Sequence, residues 1–575
     1  MGIDLLIKNG TVVDGTRRPR YRADVAVVGD KVVEIGKIKD SAKRVIDASD
    51  LVVAPGFIDL HTHYDAQICW DPLITCSSWH GVTTVITGNC GVGVAPCRPG
   101  ARDIATWDLV NVEAIPFEVL EKGLTWDWET FPQYMSAAER RGSAINLAFL
   151  APLTPFRHYV MGEESFERAA SIEETASIRQ LLKEAISAGA IGWSLSKSGH
   201  IGYKGRPLAS RLASMDELKA YASVLKELNR GVIEVAAGSG GVLGSDNFKL
   251  VETLVRESNG HVTGTPILKR FTDPTLHLQA YEEMKPLIKL GHRPQIAPQR
   301  FVSELDLREP FILQSIKMFG PVFNKSAEEV KKIYGDPAFR ETFHKELSRP
   351  QGFHSSDMTT VWVVETGRPD MKHLIGKSVA DIAKERGKDD ADTFFDLVLE
   401  DDLNLVYTMA RSEVPNDLLN NPDMIFGLSD AGAHVGILCD AGYTTETLGR
   451  LVREQQLMDL ETAIWRMTGD QADFLGIRDR GRLQPGFAAD FAIFDPATVY
   501  SACERAEARF DLPGGGKRMV VQSQGMEYTI VNGQVLYEHQ KLVTDALPGR
   551  VVKSEPFTQA QLCSQLSDEG QAGRA

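Results

Sequence analysis

Two histidines, His61 and His63, stand one residue apart in FIDLHTHYDAQ, directly behind the apolar run LVVAPGFIDL. In an extended segment, residues i and i+2 project to the same side. Both imidazoles therefore point one way at the end of a strand. A core strand gains nothing from two imidazoles on one face, whereas a divalent cation is held by such nitrogens at about 2.0–2.1 Å each. The plain alternative is a pair of core or surface histidines, because HxH is a short pattern. MIFGLSDAGAH sets Asp430 at the end of a late apolar run. There it either joins a cation or merely caps the helix that follows. Cys90, in VITGNCGVG, ends another apolar run between glycines that permit close approach of backbone to a ligand. Its thiolate would complete or bridge a metal site; the alternative is an inert cysteine in a tight turn.

The elements that must position these residues read as short buried strands alternating with helices. TTVITGN, INLAFLAP, AIGWSLS, GVIEVAAG and DMIFGLSD are apolar runs ending in small or polar residues. SIEETASIRQLLKEAISAG and SMDELKAYASVLKELNRG have the apolar spacing of helices and precede two of those strands. Repeated βα units over roughly 400 residues predict a parallel barrel of the TIM type with insertions, whose chemistry gathers at the carboxyl ends of its strands. A closed barrel also brings its first and last strands side by side, so His61, His63 and Asp430 would face one another. Three ligands with an open position describe a catalytic rather than a structural metal.

Both chain ends read as strands. DLLIKNGTVVDG and ADVAVVGDKVVEIG carry hairpin signals at Asn9-Gly10 and Gly29-Asp30, and YTIVNGQVLYE carries one at Asn532-Gly533. Each end alone has too few strands to bury a sheet face. The expectation is one small β-sandwich from residues 1–55 and 480–550, beside a barrel over 56–479. Residues 301–400 break the βα rhythm at a length too great for a loop. They are read as a helical insertion able to roof the barrel mouth. Residues 551–575 read as a loose C-terminal tail.

With 575 residues the chain has room for a large barrel and an accessory domain. A formal net charge of -15 argues against nucleic acid or an anionic membrane as the main partner. The N-terminus lacks the pattern of a signal peptide, and no run has the length of a membrane span. The seven cysteines include no CxxC pair, so a reducing cytoplasm is the expected compartment. Assembly into a homo-oligomer is left open.

PGFIDLHTHYDAQ, SSWHGVTTVITGNCGVGVAPCRPG, GLSDAGAH, DRGRLQPGFAADFAIFDP and the late LPGR, in this order, resemble the amidohydrolase superfamily and, within it, the N-acyl-D-amino-acid deacylase (D-aminoacylase) group. The likeness covers most of the chain. It implies a (β/α)8 barrel with a sandwich made from both termini, and hydrolysis of a linear amide by a zinc-bound water. It places His61, His63, Cys90 and Asp430 on the family's ligand positions and Asp430 also on its acid/base position. One departure stands out. The family's D-aminoacylases carry a histidine at the end of each of two middle strands, where this chain has Ala236-Ala237 and, near the second, Ile267. One divalent cation is therefore expected rather than two.

A small amide substrate bearing a carboxylate needs a cation near the mouth. Lys269 and Arg270 in PILKRF are the first candidates, Lys197 in LSKSGH the second, and His200 points toward the same space. Each is otherwise an ordinary loop residue. Lys197 also stands on the strand where related amidohydrolases use a carbamylated lysine. His80 and His434 are candidates to orient the ligands from behind, and a backbone N–H near Gly91 to hold the oxyanion. His158, His354 and His539 are read as ordinary structural or surface histidines. The reading is a metal-dependent hydrolase of a linear amide such as an N-acylated amino acid. Hydrolysis of a cyclic, aryl or carbamoyl amide is a second possibility, and a non-catalytic barrel scaffold a third. The scaffold has no use for His61, His63 and Asp430 together.

Overall fold

The computed structural model describes residues 2–557, apart from 239, 259, 272, 309, 314–315, 324, 349–356, 411, 502–505 and 544–545. The centre of the molecule is a parallel sheet of eight strands: β1 (Phe57–Asp59), β2 (Val82–Thr87), β3 (Asn146–Pro152), β4 (Gly192–Ser196), β5 (Val232–Ala236), β6 (Val262–Ile267), β7 (His292–Ile296) and β8 (Ile425–Phe426). They pair in sequence order, each with the next, from β1 to β8. The five runs singled out as buried strands become β2, β3, β4, β5 and β8, and β2 to β5 are buried along their whole length. Just past the strand ends the outer edges of the curled sheet come together. His63 N donates to Ala431 O at 2.7 Å, Asp430 N donates to His61 O at 3.1 Å, and Thr62 bridges Ala431 in parallel.

The two helices anticipated from apolar spacing run over Ile172–Ala188 and Met215–Leu228. Each begins with a capping box, Ser171 with Glu174 and Ser214 with Glu217, in which hydroxyl and carboxylate satisfy each other's backbone N–H. Helix α1 (Arg102–Glu113), in the stretch between β2 and β3, matters for the site because its last residue turns inward.

The chain ends share one nine-stranded, mostly antiparallel sheet rather than two separately paired sheets. Strand Phe491–Phe494 lies between Val52–Pro55 and Met526–Val531, so the two ends are hydrogen-bonded neighbours. The turns at Gly29-Asp30 and Asn532-Gly533 close hairpins as expected. Asn9-Gly10 does not. One strand runs through it from Ile3 to Val12, and its pairing with the strand Tyr21–Val28 slips between Ile7 and Gly10. Asn9 takes φ 61°, so the residue chosen for left-handed backbone serves a bulge instead of a turn.

The insertion is not purely helical. Val302–Asp306, Val361–Glu365 and Val406–Ala410 form a three-stranded antiparallel sheet, packed with helices around a core of its own that includes Phe319, Tyr334, Phe394, Phe395 and Tyr407. The β-branched and aromatic content of VWVVE and VYTMA accounts for the strands. The sheet is rooted beside the central strands, where Glu304 N donates to Ile437 O and Val302, Trp362 and Ala410 pack on Phe271. Of the tail expected at 551–575, residues 551–557 pack on the molecule, with Val552 and Phe557 buried. Residues 558–575 lie outside the described residues, as does His354. No helix among the described residues is long and apolar enough to cross a membrane.

Candidate metal centre

His61 and His63 occupy the extended segment that follows β1. It is held between Ile86 O, which accepts from Thr62 N at 3.1 Å, and Ala431 O, which accepts from His63 N. Both rings are buried, their centroids 5.3 Å apart. Cys90 follows β2 and Asp430 follows β8. Both have backbones in the left-handed region, at φ 54° and 55°. Such strain in non-glycine residues is kept where surrounding structure over-determines it, commonly at functional sites. Gly91 follows at φ 69°, where a Cβ would stand 2.7 Å from Leu195 Cα, so only glycine lets the Cys90 turn close on β4.

The four side chains converge. His63 Nε2 lies 3.1 Å and His61 Nε2 3.7 Å from Asp430 Oδ1, and Cys90 Sγ lies 3.5 Å from His61 Nε2. At ordinary zinc bond lengths, two nitrogen or oxygen ligands on a tetrahedral ion stand about 3.3 Å apart, and nitrogen and sulfur about 3.6 Å. The observed separations match that spacing, so the donor set fits a divalent cation. Groups behind the ligands fix their orientation. Gln295 Oε1 lies 2.9 Å from His61 Nδ1 and accepts its N–H, which leaves the Nε2 lone pair facing Cys90 and Asp430. Glu113 Oε1 lies 3.3 Å from His63 Nδ1, an electrostatic pairing without good hydrogen-bond geometry.

Burial sets the charge pattern. It pushes the carboxyls of Glu234 up to about 8, Glu113 to about 7 and Asp59 to about 7. Burial and the neighbouring His63 bring His61 down to about 4. Burial also opposes charge on His63, but Glu113 and Asp430 outweigh it and raise that ring to about 10. For Asp430 burial is likewise overcome by His63, which holds the carboxyl well below the usual range.

A cavity of about 250 Å³ opens over these groups. His61, His63, Cys90 and Asp430 line it together with Glu113, Glu234, His200, Arg270 and His434. Asp430 keeps 21% of its side chain exposed, so a substrate can reach it. Several expectations need correcting. Lys197 is not in this wall: its ammonium donates to Arg211 O and Ala213 O at 2.7 Å each, and no free amine is presented for a carboxylate or for carbamylation. Lys269 is likewise outside the wall, its backbone bridged to Glu413. His80 orients no ligand, since its ring bonds Thr445 Oγ1 and Val521 O. Gly91 N–H donates to Ser194 Oγ and Cys90 N–H to Glu234, so neither is available to an oxyanion. No residue of the insertion appears among the described residues that line this cavity. His158 is structural, held by Asp108 and Ser165.

Sequence reading missed Glu113, Glu234 and Gln295. A signal existed for the latter two, because an acid or amide inside VIEVA and HRPQI is out of place in a buried strand unless it faces a polar interior. Glu113 gave none, being one of many acids on helices.

Known proteins resemble the chain over nearly its whole length. The chain is 29% identical to the D-aminoacylase of Alcaligenes xylosoxydans xylosoxydans over 96% of its own length and 97% of the relative's. It is 27% identical to the N-acyl-D-aspartate deacylase of the same organism, over 96% and 95%. In fold it resembles a crystal structure of D-aminoacylase, with a TM-score of 0.65, 24% identity, and 96% and 100% of the two chains covered. It also resembles the N-acyl-D-glutamate deacylase of Bordetella bronchiseptica in complex with zinc and a phosphonate inhibitor, with a TM-score of 0.63 at the same identity and coverage. The model of the amidohydrolase family matches residues 44–322 and 375–537, leaving out the middle of the insertion. The chain belongs to the amidohydrolase family.

Proposed function

We propose that this protein is a metal-dependent hydrolase that cleaves a linear amide bond, that of an N-acylated amino acid or a similar small amide. The curled parallel sheet with its helices is read as a (β/α)8 barrel over residues 56–479, and the sheet from residues 1–55 and 480–550 as its accessory domain. The observation that carries the functional reading is the convergence of His61, His63, Cys90 and Asp430, at ligand-to-ligand spacing, in one buried cavity.

A divalent cation such as zinc, held by those four residues, would supply Lewis acidity toward the carbonyl and a water of lowered pKa. The chain's own residues do the rest. Asp430, exposed at the cavity floor, accepts the proton of the attacking water at its carboxylate and delivers it to the departing nitrogen. That nitrogen must leave as an amine, because an amide anion is too basic to be expelled. Arg270, in the cavity wall, offers the planar fork suited to a substrate carboxylate, with His200 and His434 on the same wall. The full-length likeness to deacylases of N-acyl-D-amino acids supports this substrate class.

The test is metal analysis of the purified protein beside a hydrolysis panel of N-acyl-D-amino acids, N-acyl-L-amino acids, cyclic amides and aryl amides. The expected result is about one zinc per chain and turnover of an N-acyl-amino acid. Protein that holds no divalent cation under any loading condition, and splits no amide, would overturn the reading in favour of a scaffold.

A further inference from the structure

The ends of β5 and β6 carry no imidazole. Ala236, the last residue of β5, and Ala237 line the cavity, and Pro266 and Leu268 line it around the end of β6. Two residues before Ala236, on the same face of β5, stands Glu234. Its side chain is 1% exposed and lies in the cavity wall with His61 and Cys90. One carboxylate oxygen, Oε2, accepts the Cys90 N–H at 2.7 Å, across the sheet from β5 to the end of β2. That bond fixes the carboxylate on the same turn that presents the Cys90 thiol.

Charge balance gives this placement its meaning. Glu113, Glu234 and Asp430 line the cavity, and Asp59 and Asp65 are buried two residues before His61 and two after His63. Among the described residues no lysine or arginine forms an ion pair with any of them; the ion pairs seen there run only from His61 and His63 to Asp430 and Glu113. Glu113 Oε1 is buried with no hydrogen-bond partner. Buried carboxylates in such number are tolerated when a cation sits among them.

We propose that Glu234 is itself a ligand of the bound cation, supplying an anionic oxygen from β5. The proposal rests on the metal reading given above. One oxygen of Glu234 stays on the Cys90 N–H and the other serves the ion, so thiolate and carboxylate act as one unit. A carboxylate among the donors makes the set more negative than imidazoles and thiolate alone. Affinity for a dication then depends on Glu234 more steeply than on Glu113, which stands behind His63 rather than in front of it.

Glu234→Gln separates this role from simple support of the Cys90 turn. The glutamine carbonyl still accepts the Cys90 N–H and fills the same space, but it removes the anionic oxygen. Zinc affinity would be measured by competition with a chromogenic chelator for wild type, Glu234→Gln, Glu234→Asp and Glu113→Gln, and visible spectra recorded after cobalt(II) loading. The expected result is at least a ten-fold weaker zinc affinity and altered cobalt bands in both Glu234 variants, with Glu113→Gln changed less than three-fold. Thermal melting of the metal-free variants guards against misfolding. If Glu234→Gln fails to fold, the shorter Glu234→Asp, which keeps the charge but withdraws it from the ion, carries the test. Wild-type affinity and unchanged cobalt bands in the folded Glu234 variants would overturn the proposal while leaving the metal reading intact. A wild-type protein that takes up neither zinc nor cobalt would overturn both.

Discussion

At the scale of single residues, side-chain parity decides who belongs to the site. Ser198 and His200 line the cavity while Lys197 does not, and Pro266, Leu268 and Arg270 line it while Lys269 does not. In extended chain a shift of one residue moves a side chain to the opposite face. A strand-end position read from sequence thus locates a residue without saying which way it faces. The HxH pair was legible because its spacing carries the parity within it. Lys197 and Lys269 were misplaced because nothing local carried it. Two outcomes follow. Arg270→Ala should raise KM for a carboxylate-bearing substrate about ten-fold or more, whereas Lys269→Ala should leave KM within about two-fold; steady-state kinetics on one N-acyl-amino acid decides. Asp430→Asn should lower kcat by about 10²–10⁴-fold, the usual weight of a positioned acid/base, while most bound zinc is retained by the remaining ligands. Kinetics and metal content measured on the same preparation check this.

Among the elements, those with a self-contained signal were readable and those defined by their neighbours were not. The capping boxes at Ser171 and Ser214 announce their helices because both partners lie within one turn. Asn9-Gly10 announces positive φ, yet only the opposing strand Tyr21–Val28 turns that into a bulge. The docking of residues 551–557 also escaped sequence reading, since it depends on a stack between Phe557 and His261. Those rings lie 3.7 Å apart and 7° from parallel, and Asn229 bonds the Phe557 backbone in both directions. Burial, opposed by a backbone bond to Phe474 and reinforced by the nearby Arg293 cation, holds His261 down to about 4. The ordinary value is near 6.5, so at pH between 4 and 6.5 the unfolded chain binds the proton that the folded chain refuses. Stability from this site is complete above about pH 6.5 and falls as the pH drops toward 4, by up to about 3 kcal/mol. His261→Phe keeps the stack and removes the proton site. Thermal melts from pH 4.5 to 7 should show a shallower acid loss for His261→Phe than for wild type, and equal slopes would refute the assignment.

For the molecule as a whole, the insertion and the shared sheet set opposite demands on folding. The insertion closes a core of its own between residues 305 and 409, and its three strands form one sheet whose first strand is also bridged to the segment Ile437–Leu438. A chain in which the stretch 302–410 is replaced by a short linker should therefore still bind zinc, because no lining residue of the cavity is lost. Metal content of the shortened protein is the check. The meeting of the chain ends was legible from the shortage of strands at either end. The single nine-strand path was not, because pairing between distant segments leaves no local trace. That path has a cost in time. Ala54 faces Ala492 and Val53 faces Ile493, so one edge of Val52–Pro55 waits bare until nearly the whole polypeptide has left the ribosome. Nascent molecules are then most prone to clump just before synthesis ends. Joining the natural termini through a linker and opening the chain near residue 480 would let these strands be made in succession, so such a permuted protein should refold faster and with less loss to aggregate than its parent.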